Sequence, residues 1–138
     1  MHANIGDISM EISISYIISA ARVIKDATTN KNSVIDVFDI IQLPSGQNFT
    51  YQSFYVHGKL LNVPKGNAAI DVRIMDPTKE KVVSVVNLAG NLENGDVSIT
   101  AFFALVKFTE IGRYQIKLSV NGSELEDDDR FYFDIIQA

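Results

Sequence analysis

Near neutral pH the side chain best able to move a proton is imidazole, and this chain has two, His2 and His57. There is no cysteine, so a thiolate nucleophile, a thiolate metal site and a disulfide are all excluded. A serine or threonine nucleophile would depend on one of the two imidazoles. His2 sits in a terminal segment, and no Gly-x-Ser-x-Gly elbow occurs anywhere in the chain. His57, mid-strand and without a partner motif, reads as a surface histidine. Zinc asks for several His or Cys ligands at close spacing, which two distant histidines do not provide. Glu124-Leu125-Glu126-Asp127-Asp128-Asp129 supplies the oxygens calcium prefers, but lacks the glycine-punctuated loop of an EF-hand and reads as a solvated acidic loop. Gly46-Gln47-Asn48 and Leu88-Ala89-Gly90-Asn91 do not resemble a phosphate cradle. No catalytic set, metal or cofactor is expected.

What remains is contact chemistry, concentrated between Phe49 and Val63. Side chains alternate between the two faces of a strand. Phe54, Val56 and Leu60 claim one face and point inward. Phe49, Tyr51, Tyr55, His57 and Lys59 then share the other. Tyrosines on an open sheet combine apolar area with a hydroxyl and build contact surfaces. The competing reading is cross-strand packing on a partly covered face. Tyr51, Tyr55 and His57 are the candidate binding residues, for a protein partner or a second copy of the chain.

The elements that position them are strands. Ile8, Met10, Ile12 and Ile14 alternate with polar residues. A break or bulge is expected near Tyr16 to Ile18, with the main first strand on its C-terminal side. Val34 to Leu43 reads as one central strand, ended by Pro44-Ser45-Gly46. Ile70, Val72 and Ile74 form a strand that turns at Asp76-Pro77-Thr78-Lys79 and returns along Lys81 to Leu88. Val97, Ile99, Ala101, Phe103 and Leu105 fall on one face of a long strand. Tyr114, Ile116, Leu118 and Val120 alternate with Arg113, Gln115, Lys117 and Ser119, and Asn121-Gly122 closes that strand with a tight turn. Phe131, Phe133 and Ile135 mark the last strand. About eight strands without a helical pattern of normal length predict an all-β, antiparallel sandwich.

Length and composition agree. The 138 residues favour one domain spanning 1–138, with 1–7 as a flexible N-terminal segment, and 46% of residues are hydrophobic, enough for a core. The formal net charge is −5 and the twelve Lys and Arg are scattered, which argues against nucleic acid as a partner. No apolar run reaches membrane-spanning length. No signal-peptide pattern opens the chain, and with cysteine absent a cytoplasmic location is expected.

Two resemblances follow from these residues. Glu110-Ile111-Gly112-Arg113-Tyr114 resembles the tyrosine corner of immunoglobulin and fibronectin-type sandwiches, with Ile116 where antibody domains carry cysteine. More of the chain resembles a family of small bacterial immunoglobulin-like domains of unknown function. The shared features are Tyr16-Ile17-Ile18-Ser19-Ala20-Ala21, Val37-Phe38-Asp39, Asp76-Pro77, Gly112-Arg113-Tyr114 and Val120-Asn121-Gly122. Asp36 and Ile111 depart from its frequent glycine and proline. The resemblance implies an immunoglobulin-like β-sandwich and no particular activity.

The residues therefore lead to a non-enzymatic interaction module, docking a protein or self-associating. The alternative is a small-ligand or carbohydrate-binding domain using the tyrosine face, and an enzyme ranks below both. Calcium is expected to leave the melting temperature unchanged, because a ligand stabilises only where the folded state offers a site. An upward shift that a chelator reverses would place a cation site in the Glu124 to Asp129 run.

Overall fold

The structure, a computed structural model, describes residues 11–93, 95–125 and 129–138. The expected N-terminal segment 1–7 and the alternation at Ile8 and Met10 lie outside the described residues, as do positions 126–128 of the acidic run. Ten strands and no helix occur among the described residues. They are β1 (Ser13–Lys25), β2 (Asn32–Phe38), β3 (Ile40–Leu43), β4 (Thr50–Val63), β5 (Gly66–Met75), β6 (Val82–Leu92), β7 (Gly95–Phe108), β8 (Gly112–Val120), β9 (Ser123–Glu124) and β10 (Tyr132–Gln137).

Two sheets enclose one core. The first has the order β2-β1-β4-β7; the second has the order β3-β10-β8-β5-β6, with β9 against β8. Each sheet contributes its inner face: Phe54, Val56, Leu60, Ala101 and Phe103 from the first, and Val72, Ile74, Tyr114, Ile116, Leu118 and Phe133 from the second. Aromatic rings knit the two layers. Phe54 stacks on Phe103 at 5.2 Å and meets Phe133 edge-on at 5.6 Å. Offset and edge-to-face ring pairs add to what burial alone contributes.

The turns form where the sequence marks them. Lys79 N–H donates to the Asp76 carbonyl at 2.9 Å, closing the β5–β6 turn around Pro77. Asn121 and Gly122 both take positive φ (51° and 85°) and bring Val120 opposite Ser123. At the start of β8, Gly112 has φ 137°, and a Cβ there would stand 3.0 Å from Pro77. That glycine lets β8 begin hard against the β5–β6 turn. Tyr114 follows at 2% exposure, and its hydroxyl donates to the Glu110 carbonyl at 2.7 Å.

Three expectations need correcting. Val34 to Leu43 is not one central strand: β2 and β3 are edge strands of different sheets. Asp36 adopts φ 57°, a conformation short polar side chains tolerate, and the chain crosses between layers at Asp39, whose carbonyl accepts the Asp134 N–H at 2.8 Å. Pairing is not wholly antiparallel either, because β3 runs parallel to β10. A strand that changes sheets keeps its direction, so its second half meets the last strand in parallel. Finally, Leu105 leaves the face of Ile99, Ala101 and Phe103. Phe54 pairs with Phe103 but Gln52 with Val106, so β7 holds one residue more than β4 between these pairs. Leu105 takes φ 48°, is 71% exposed and donates its N–H to Ser53 Oγ at 2.9 Å. This bulge returns Val106 and Phe108 to the core.

Tyr114→Phe keeps the ring in the core and removes only the hydroxyl bond to Glu110. Chemical denaturation should show a loss of about 1 kcal/mol, the usual net worth of one such bond. No change would mean the corner is held by ring packing alone.

Candidate functional site

β4 places the candidate residues. From Thr50 to Leu60 its even-numbered residues face the core and the odd-numbered residues between them face outward. Tyr51, Tyr55 and His57 therefore do share the outer face of the first sheet. They differ in what surrounds them. Tyr51 is 53% exposed and meets Phe49 edge-on at 5.7 Å; the Lys107 ammonium lies over the Phe49 ring at 4.8 Å. Tyr55 is half-buried, with its ring 4.7 Å from that of Phe102 on β7. His57 departs from the surface position expected of it and is only 3% exposed.

The reason lies in the neighbouring strands. Ile18 of β1 and Thr100 of β7 pair with His57 on either side. Thr100 Oγ1 stands 2.9 Å from His57 Nδ1, and the Tyr16 hydroxyl 3.3 Å from Nε2. β1 and β4 approach closely here because the next residue is Gly58, where a Cβ would fall 2.8 Å from the Tyr16 carbonyl oxygen. Burial pushes the His57 pKa below the ordinary imidazole value, against a smaller upward effect of a hydrogen bond with the Ile99 backbone. The ring is therefore neutral at physiological pH, with one nitrogen donating, the other accepting, and each hydroxyl taking the complementary role.

A hydroxyl 2.9 Å from an imidazole is also the spacing of a nucleophile and its base. Here the second partner is a tyrosine hydroxyl where a triad carries a carboxylate, and burial disfavours the imidazolium such a base must form. The arrangement clamps β1, β4 and β7 together at their outer face.

Several residues around the tyrosines were not singled out from sequence. Val37 pairs with Ala20, Ala20 with Tyr55 and Tyr55 with Phe102, a row crossing all four strands. Val37 is 59% and Phe102 48% exposed, while Ala20, outside the core cluster, is fully covered within this outer row. Tyr16 and Leu105 extend the same apolar surface. Phe102 was legible as the polar-phase neighbour of Phe103 that is nevertheless aromatic. Leu105 was not, because a bulge sets its direction.

The second sheet presents a different outer face. Arg113 holds Asp134 through two bonds of 2.9 and 3.2 Å and covers the Tyr132 ring at 3.7 Å. Arg73 stands 3.1 Å from Glu124. Lys117 and Lys79 donate to Asp129 at 2.7 and 3.0 Å and hold its pKa down to about 2. Both ends of the acidic run thus face cationic side chains, and no group of three potential metal ligands occurs among the described residues. No helix among the described residues is long and apolar enough to cross a membrane. No family model matches the chain, and no curated protein shows significant similarity to it.

The His57 clamp has a pH signature. Its folded pKa is depressed, so on acidification the unfolded chain takes up the proton first. Stability is full above the ordinary value of 6.5 and falls as the pH drops below it towards the folded pKa. Loss of the Asp129 contacts belongs to a separate window, from 3.8 down to about 2. Thermal melts at pH values from 6.5 downward, above the Asp129 window, should show a decline that His57→Gln flattens. A slope identical in the two proteins would show that His57 is not the titrating group.

Proposed function

We propose that this chain is a non-enzymatic interaction module that binds protein, another chain or a second copy, through the outer face of its first sheet. One observation carries the reading: Val37, Tyr55, Phe102, Tyr16, Leu105 and Tyr51 gather on this one outer face and come from all four strands. Monomeric proteins rarely leave a surface of this kind uncovered. The outer side of the second sheet differs in carrying ion pairs beside its exposed Ile40, Val85, Tyr132 and Ile136. Tyrosine and phenylalanine are also side chains that contact surfaces favour.

The scaffold fits an immunoglobulin-like β-sandwich related to the small bacterial domains described above. The Tyr114 corner supports it, as does the order β6-β5-β8-β10, which matches the C′-C-F-G order of variable-type domains. A departure is β1, which stands between β2 and β4. A cytoplasmic location is proposed on the absence of cysteine.

A second reading, ligand binding, has one observation in its favour. Where β2 gives way to β3, a groove of about 320 Å³ opens, floored by Phe38, Ile41 and Phe54 and rimmed by Asp36, Gln42 and Gln52. Apolar floors with a few polar groups are typical of small-molecule sites.

Tyr51→Ser combined with Tyr55→Ser discriminates. The double variant should keep nearly all of its thermal stability and lose about 2 kcal/mol or more of binding energy, measured by titration against a copurifying protein or by self-association. Unfolding would make the two tyrosines structural. Undiminished association would move the contact elsewhere.

A further inference from the structure

The identity of the partner follows from how charge is distributed over this same face; the inference rests on the contact surface proposed above. Strand pairing fixes the height of each residue along the sheet. At one end Lys107 stands opposite Tyr51. Arg22, opposite Ile35, lies one step further in. The middle is the apolar row of Val37, Ala20, Tyr55 and Phe102, followed by Ile18, His57 and Thr100. Next come Tyr16, Lys59 and Ser98. Beyond them Asp96 follows Gly95, its carboxylate 4.0 Å from Lys59 Nζ. Glu11, whose carbonyl accepts Asn62 Nδ2 at 3.4 Å, closes that end. The face is thus basic at one end, apolar in the middle and, with Lys59 beside Asp96 and Glu11 beyond, net acidic at the other.

We propose that this face docks a second copy of the chain about a two-fold axis crossing the strands at the level of Tyr55 and His57. An isologous contact needs a self-complementary patch, and an apolar centre between oppositely charged ends is one. This axis reverses the strand direction of the second copy. β7 then lies over β7, and Lys107 of each copy comes to Asp96 of the other. β1 lies over β1, and Arg22 of each copy comes to the Tyr16 ring of the other. An axis running along the strands would instead bring the two basic ends together, where like charges repel. The face carries Arg22, Lys59 and Lys107 against Glu11 and Asp96, close to balance, whereas the chain has a net charge of −5. The acidic surplus therefore lies off the contact and does not oppose it. Face-to-face sheets pack with aligned strands, about 30° apart, which keeps the two ends of each copy in register with the opposite ends of the other.

The test is sedimentation equilibrium of the full chain over a concentration series at low ionic strength. A dimer is expected. Lys107→Glu alone and Asp96→Lys alone should each weaken it by about fivefold. The two changes in one chain restore opposite charges across the axis and should recover dimerisation, as should mixing the two single variants. Circular dichroism melts confirm folding, since both positions are exposed. A chain that stays monomeric throughout overturns the second copy, while the double-tyrosine test above still decides the surface. A dimer sensitive to the tyrosines but without charge-swap recovery overturns the proposed axis. A dimer indifferent to both sets of changes overturns the surface as well.

Discussion

The period-two geometry of β4 is the constraint on which the rest of the structure depends. Fourteen residues run through the centre of the first sheet, and their even-numbered members from Thr50 to Leu60 hold the core phase. Burying Phe54, Val56 and Leu60 leaves Tyr51, Tyr55 and His57 no choice but the outer side. A shift of one residue would expose Phe54 and bury Lys59, so the hydrophobic requirement of the core sets the composition of the opposite face. The phase is lost only near Asn62, at φ 61°, after which Val63 rejoins the core.

The neighbours of β4 keep phase with it by means of bulges. β1 carries an extra residue between Ile14 and Tyr16, and this directs Tyr16 to the outer face beside His57. β7 carries one before Val106, and this sends Leu105 outward. Each bulge satisfies the core first and exposes an apolar side chain second. Leu105 is the clearer case, because a positive φ at a leucine is strained and Ser53 holds it in place. The apolar surface is in this sense a by-product of core registry that includes residues no water-facing strand would ordinarily choose.

The two outer faces divide the work. Arginine, lysine and carboxylate pairs lie over the second sheet, each joining a partly covered side chain to a more exposed one. The first sheet keeps its charges towards the two ends of its strands, with Tyr55 and Phe102 between them. Beneath the rings, His57 ties three strands through neutral hydrogen bonds, so the surface is backed by a stiff polar seam.

Alternation determined the strand content and the inward set of β4, turn residues marked the Asp76-Pro77 and Asn121-Gly122 turns, and a resemblance pointed to the Tyr114 corner. Those features depend on residues near one another in the chain, and local sterics and hydrophobic period are written there. What depended on distant residues was decided by the tertiary structure. Val34 to Leu43 reads as continuous because its apolar run is continuous. It divides because its two halves bury against different sheets, and Asp36 and Asp39 allow the crossing. Leu105 reads as core until its pairing with β4 demands an extra residue. His57 reads as surface because its own strand leaves it there. Its burial comes from Tyr16 and Thr100, which are 41 and 43 residues away and reach it only once β1, β4 and β7 lie side by side. Strand neighbours that far apart in sequence leave no periodic signal at either position, so the cover over an outward-facing residue is decided by pairing and not by pattern.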